Sequence, residues 1–139
     1  MQIRPFKQSD EAAVLALWER CGLTRSWNDP RKDIVRKLTV QPELFLVGLE
    51  GHAVIASAMA GYDGHRGWVN YLAVDPPARR RGHGRELMRR VEELLRERGC
   101  PKLNLQVRAE NVEAIEFYRR IGYGTDAVLS LGKRLLHDS

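Results

Sequence analysis

Cysteine is scarce in this 139-residue chain, with Cys21 and Cys100 the only two. Two thiols without a secretory leader suit a reducing cytoplasm better than a disulfide scaffold. No His/Cys spacing resembles a zinc site, so no metal is expected. Long apolar runs are missing too, which argues against a bilayer span and a membrane partner. The opening Met1-Gln2-Ile3-Arg4-Pro5-Phe6 lacks the basic-then-apolar layout of a signal peptide and reads instead as a first strand. Repeats, low-complexity tracts and linkers are also lacking. A single domain over residues 1–139 is therefore expected.

The chain is 43% hydrophobic and 29% charged, which suffices for one core and excludes wholesale disorder. Its net charge of +5 comes mostly from arginine. Such a surplus suits nucleic acid, an acidic membrane or a polyanionic small molecule. Position decides among them. Arg79, Arg80, Arg81, Arg85, Arg89 and Arg90 crowd around one glycine-bearing turn. A nucleic-acid surface spreads its cations over a broad face with aromatics between them. Focused charge favours a small phosphorylated ligand and no nucleic acid. Further along, Arg89, Arg90, Glu92, Glu93, Arg96 and Glu97 mix signs as a solvated helix face does.

Periodicity gives the element order. Gln2 to Phe6 is a weak strand. Ser9 or Asp10 caps a helix carrying Val14, Leu15, Trp18 and Cys21 at helical spacing. Asp29-Pro30 opens a second helix, with Ile34, Val35 and Leu38 as its apolar stripe and Pro42 as its close. Leu44–Leu49 and Ala53–Met59 flank Glu50-Gly51-His52 as a hairpin. A turn-rich link over residues 61–67 precedes a strand from Trp68 to Val74, which Asp75-Pro76-Pro77 ends. Leu87, Met88, Val91, Leu94 and Leu95 mark a helix running from near Gly84 to Arg98. Leu103, Leu105 and Val107 alternate as a strand. Asn111 caps a fourth helix with Ala114, Ile115, Tyr118 and Ile121 on one face. Val128-Leu129-Ser130-Leu131 reads as a last strand. The order β-α-α-β-β-β-α-β-α-β predicts an α/β fold with a mixed sheet and helices on both faces.

The segment Arg79-Arg80-Arg81-Gly82-His83-Gly84 joins the central strand to the third helix. Gly82 and Gly84 remove Cβ atoms that would hold a ligand off the backbone. The amides that open a helix have no partner within it and lie at the positive end of its dipole. Arginines beside it add forked donors. A tight turn alone would explain the glycines; with the arginines, a pyrophosphate loop is predicted.

Strand, Arg79-x-x-Gly82-x-Gly84, then helix resembles the acyl-CoA signature of the GNAT superfamily of N-acetyltransferases. Leu105-Gln106-Val107-Arg108-Ala109-Glu110-Asn111, with Phe117-Tyr118 and Ile121-Gly122-Tyr123 after it, is similar to that superfamily's asparagine-plus-tyrosine segment. Segments such as Trp27-Asn28-Asp29-Pro30 and Leu129-Ser130-Leu131-Gly132 resemble its bacterial YpeA-type branch. The resemblance covers essentially the whole chain. It implies acetyl-CoA as co-substrate and an amine, on a small molecule or a peptide, as acceptor. It places the pantetheine arm along the main chain of Leu72, Ala73 and Val74. The pyrophosphate is expected on the amides of Arg80, Arg81, Gly82, His83, Gly84 and Arg85, beside Arg79. Asn111 would contact the cofactor near the pantetheine, and Tyr118 would protonate the departing thiolate. Final strands in such folds often pair between subunits, so a homodimer is a further expectation.

The general base is the weak point. Relatives that acetylate protein N-termini carry a glutamate where this chain has Gln106, and an amide accepts no proton from ammonium. The strand Trp68–Val74 bears no carboxylate. Asp63, His65 and Glu110 are the remaining candidates, although a turn aspartate such as Asp63 more often tightens its own turn. Bland uses stand beside the functional ones. Tyr118 suits a half-buried helix stripe, and Asn111 a plain cap. Trp27, Tyr62 and Trp68 suit either a core or an acceptor pocket. Two other readings stay open: a non-catalytic acyl-CoA-binding or regulatory module, and a nucleic-acid binder.

Overall fold

The computed structural model describes residues 1–138. They form two compact units, Met1–Leu105 together with Asp138, and Gln106–His137.

The first unit holds β1 (Gln2–Pro5), α1 (Glu11–Arg20), α2 (Pro30–Lys37), β2 (Phe45–Glu50), β3 (Ala53–Tyr62), β4 (Gly67–Val74), α3 (His83–Glu97) and β5 (Leu103–Asn104). Its sheet runs β1-β2-β3-β4-β5 in sequence order. All neighbours are antiparallel except β4 and β5, which are parallel and need the α3 crossover between them. The expected hairpin is β2–β3, turning at Gly51 with φ +61°.

Local chemistry sets the helix starts. Asp10 accepts the Lys7 amide at 2.8 Å and both guanidinium arms of Arg4 at 2.7 and 2.9 Å. Arg4 thereby holds the Asp10 carboxyl below the usual carboxylate range. The turn so fastened is a short 3-10 segment, Gln8–Asp10, that feeds directly into α1. Asp29 caps α2 by accepting the Arg31 amide at 2.9 Å, with Pro30 at the first helical position as predicted. That helix ends at Lys37, well before Pro42, which instead opens a second 3-10 turn at Pro42–Leu44.

Core packing follows from two periods. Val14, Leu17 and Trp18 of α1 and Ile34 of α2 are fully enclosed and cluster with Phe45, Val47, Leu49, Met59 and Ala73. Leu87, Met88, Val91 and Leu95 give α3 a second buried stripe, and that helix packs on β3 and β4. Both faces of β3 are buried, so its run Val54–Ala60 is apolar throughout apart from Ser57. Each fully buried Leu, Val or Phe contributes about 1.5–3 kcal/mol.

The second unit holds one helix, α4 (Val112–Arg120), capped by Asn111 Oδ1 on the Ala114 amide at 3.1 Å. Gly122 at φ +102° closes it, as the Gly122-Tyr123-Gly124 stop predicts. The expected final strand does not form. Residues 128–131 carry no strand, and Val128, Leu129 and Leu131 are 76%, 89% and 90% exposed. Alternation specifies a strand only where one face is buried and a neighbour completes the ladder, and neither holds here. The preceding strand is also shorter than its Leu103-Leu105-Val107 alternation suggests, ending at Asn104.

Candidate active site

β4 is the strand around which the site is built. Met59 pairs with Asn70 and Ser57 with Ala73, so Ala58 alone stands opposite Tyr71 and Leu72. That extra residue is a β-bulge. Tyr71 occupies it at φ +53°, a left-handed conformation unusual for a bulky side chain. On its other side β4 meets β5 only at Gly67–Leu103 and Trp68–Asn104. Beyond Trp68 that edge of β4 has no strand neighbour among the described residues.

Alternation sorts the three residues expected to meet the pantetheine. The Asp75 amide donates to the Ile55 carbonyl of β3 at 2.8 Å. Ala73 therefore also faces β3, while Val74 faces the open edge. The Val74 carbonyl already accepts from Arg79 Nε at 2.9 Å and from the Cys21 thiol at 3.4 Å. Leu72 follows the bulge directly.

The turn after β4 is shaped by two left-handed residues, Arg80 at φ +64° and Gly82 at φ +82°. α3 starts at His83, with Gly82 as its N-cap and no capping side chain. The first amide of this stretch to find an acceptor is that of Glu86, which donates to the Gly82 carbonyl at 3.0 Å. Among the described residues, the amides of Arg80, Arg81, Gly82, His83, Gly84 and Arg85 have no hydrogen-bond acceptor. Helix geometry alone leaves only the opening amides unpaired; here the free run reaches back through the turn. Six consecutive donors at the positive end of a 15-residue helix make an anion seat.

The arginines divide. Arg79 buttresses the end of β4, and Arg81 pairs with Glu50 at 2.6 Å. Arg80 and Arg85 are exposed and have no ion pair among the described residues. His83 is enclosed, with Nε2 lacking any hydrogen-bond partner and 3.7 Å from Glu50 Oε2.

The candidates for acid and base are distributed as follows. Tyr118 lies on α4 with edge-to-face contacts to Phe117 and Tyr123 at 5.1 and 5.9 Å. Burial pushes its hydroxyl up to about 12, so it stays protonated at neutral pH and suits donation rather than acceptance. Gln106 donates through Nε2 to the Ser130 hydroxyl. Asp63 Oδ1 accepts the His65 and Arg66 amides at 2.8 and 2.7 Å, the turn-tightening use weighed for it. Those amides hold its carboxyl below the ordinary range, which weakens it as a base. His65 and Glu110 are exposed. So are Trp27 and Trp68, at 51% and 37%, which removes the core reading for both.

A further group escapes the sequence entirely. The Tyr71 hydroxyl donates to Asp33 Oδ2 at 2.7 Å, and Asn28 Nδ2 bonds both Asp33 at 2.5 Å and Tyr71 at 3.2 Å. The ring stacks on Trp18 at 3.8 Å. Burial and the Asp33 carboxylate hold the Tyr71 hydroxyl well above the usual tyrosine range. No spacing rule links residues 18, 28, 33, 57 and 71, because each lies on a different element or loop.

Residues 9–123 match the model of the acetyltransferase (GNAT) family. The chain belongs to that family. A protein of Yersinia enterocolitica named an acetyltransferase is 51% identical over 138 residues, covering 99% of this chain and 98% of its own. Ard1 from Thermoplasma volcanium superimposes with a TM-score of 0.77 at 26% identity, covering 91% of this chain and 84% of its own. AAC(6')-Iy, solved with the bisubstrate analogue CoA-S-monomethyl-acetylneamine, gives a TM-score of 0.76 at 18% identity, over 96% of this chain and 97% of its own, a likeness of fold. This GNAT chain is an acetyltransferase, and the acyl donor of its family is acetyl-CoA. No helix of the described residues is long and apolar enough to cross a membrane.

Proposed function

We propose that this GNAT protein moves an acetyl group from acetyl-CoA to a primary amine, on a small molecule or a lysine or peptide, by direct attack within a ternary complex. The observation that carries the reading is the run of six free amides beside the stretch of β4 that has parted from β5. A diphosphate fits those donors, with Arg80 and Arg85 as exposed cations next to it. The pantetheine adds to the open β4 edge at Leu72 and Val74, as an extra strand would.

Holding both reactants together supplies much of the rate. The amine nitrogen forms a bond to the thioester carbonyl carbon as the carbon–sulfur bond breaks. A β4 main-chain amide beyond the bulge stabilises the charge that gathers on the carbonyl oxygen. Tyr118 gives its proton to the departing thiolate, and Asn111 holds the arm; both roles rest on the likeness of their segment to the family's. The acceptor gives its ammonium proton to water before it attacks, or attacks as the fraction already neutral, since Asp63 is spent on its own turn. Gln106 in the place of a glutamate turns the acceptor away from protein N-termini.

Isothermal titration with acetyl-CoA, followed by thiol release over a panel of aminoglycosides, polyamines, lysine peptides and N-terminal peptides, tests the reading. Saturable binding with turnover on a non-N-terminal amine is expected. No saturable uptake of acetyl-CoA would overturn it.

A further inference from the structure

Tyr71 is held at three points, and each point belongs to a different part of the first unit. Its ring lies flat on Trp18 of α1, with 3.8 Å between centroids and 14° between planes. Its hydroxyl is fixed by Asp33 of α2 and by Asn28, which precedes that helix. Its carbonyl accepts from Ser57 Oγ of β3 at 2.8 Å, and Ser57 in turn accepts from Trp18 Nε1 at 2.9 Å. Ser57 is fully buried amid an otherwise apolar strand. A buried hydroxyl there is costly unless bonded, and both bonds it makes serve Tyr71 or the ring stacked on it. Asp33 is itself tied at 3.1 Å to Arg36, one helical turn further along α2.

These contacts converge on the one β4 residue whose backbone is left-handed. A bulky residue persists in that conformation only where its surroundings over-determine it. The bulge it creates immediately precedes Leu72–Val74, and it lies three residues past Trp68, where β4 leaves β5.

We infer that Tyr71 is a positioning residue: its side chain, clamped by Trp18, Asn28 and Asp33 with Ser57 on its carbonyl, sets the β4 bulge and thereby aims the Leu72–Val74 main chain at the thioester. The inference rests on the acetyl-CoA reading above. It gives Asp33, a carboxylate within the site half of the fold, a holding role and not that of the missing base.

The test reads the thioester itself. Acetyl-CoA labelled with ¹³C at the acetyl carbonyl is bound to the full chain, and its carbonyl stretch is compared with that of the free compound by difference infrared spectroscopy. In the parent protein the band moves to lower frequency, because an aimed amide polarises the carbonyl. Tyr71→Phe keeps the ring and loses the hydroxyl; at least half of that displacement should vanish, while saturable acetyl-CoA binding survives in titration, weakened only at the pantetheine edge, since the free amides of residues 80–85 are untouched. Ser57→Ala attacks the same bulge from the carbonyl side and should act in the same direction, so a poorly folded Tyr71 variant does not silence the test. Asp33→Asn leaves an oxygen to accept the hydroxyl and should lose less of the displacement than Asp33→Leu. An unchanged band in Tyr71→Phe and Ser57→Ala overturns the inference. So does an Asp33→Asn protein indistinguishable from Asp33→Leu, which would mark the charge and not the tether as essential. Failure of the parent protein to bind acetyl-CoA at all would sink the underlying reading instead.

Discussion

In the first unit, Val14, Leu17, Phe45, Val47, Leu87 and Val91 are completely enclosed. In the second, residues 106 to 137 are half-buried, as Tyr118 is, or exposed, and Val128, Leu129, Leu131, Leu135 and Leu136 are 70–90% exposed. The two units are similar in apolar character but not in what that character achieves. A five-stranded sheet lets helices bury both of its faces, whereas a single nine-residue helix has no sheet of its own to cover. The turn proposed to seat the cofactor's phosphates and the β4 edge proposed to take its arm lie in the first unit. Tyr118 and Asn111 lie in the second. The turn and strand edge proposed to bind and the residue proposed to react are thus separated along the chain, the first two on well-buried elements.

The largest effect that would break this comparison is on stability. Phe45→Ala removes a ring stacked on Phe6 at 4.5 Å and near Trp18, and should cost about 3–5 kcal/mol. Leu131→Ser, on a side chain 90% exposed, should change stability by no more than about 0.5 kcal/mol. Urea unfolding of both variants measures the contrast. A comparable loss in each would show that the exposed leucines are buried in solution, by a partner or by the strand the alternation predicts.

The next effect is on chemistry. Tyr118→Phe should lower turnover about 10²- to 10⁴-fold, the range of one acid–base contact, and leave acetyl-CoA affinity nearly unchanged. Because burial holds that hydroxyl up to about 12, no loss of rate below about pH 11 should trace to its ionisation. Equal turnover in the variant would remove Tyr118 from the mechanism. A smaller effect belongs to the phosphate turn. Gly82 sits at φ +82° with open space where a Cβ would stand, so the obstacle to a side chain is conformational. A left-handed L-residue costs about 1–2 kcal/mol, and a β-branched one more. Gly82→Val should therefore weaken acetyl-CoA binding by about tenfold, with Gly82→Ala between it and the parent. Retained affinity would place the diphosphate elsewhere.

Legibility follows the same division. Where burial enforces a helical period, as in α1 and α3, or an unbroken apolar run on each side of a glycine turn, as in the β2–β3 hairpin, the residues alone mark the element. The free amides of residues 80–85 are legible because glycine and the start of a helix are local signals, and their consequence is local too. Val128–Leu131 alternates as a strand but lacks the neighbour that would make it one. Pro42 is the expected stop for α2, yet that helix ends earlier, where the Thr39 and Val40 amides tighten onto the Arg36 and Lys37 carbonyls at 3.1 and 3.0 Å. The Tyr71 clamp was invisible for the opposite reason. Trp18 and Ser57 are 39 residues apart and Tyr71 and Asp33 are 38 apart, and side-chain bonds at such separations leave no trace in any spacing.

The smallest effect concerns the residue that returns the chain to the first unit. Asp138 accepts Arg36 Nη2 at 2.6 Å and the Asp29 amide at 2.8 Å, and its side chain is 2% exposed. Arg36 and that amide pull its carboxyl to about 2, below its ordinary value near 3.9. The folded chain thus binds this proton less readily than the unfolded one. The stabilisation is complete above about pH 4 and is lost as pH falls toward 2. Asp138→Asn should leave stability lower at neutral pH and flatten its decline between about pH 4 and 2, read as urea midpoints across that window. Some slope should survive, because Arg4 lowers Asp10 in the same direction. Identical slopes in parent and variant would mean that Asp138 is free of Arg36 in solution.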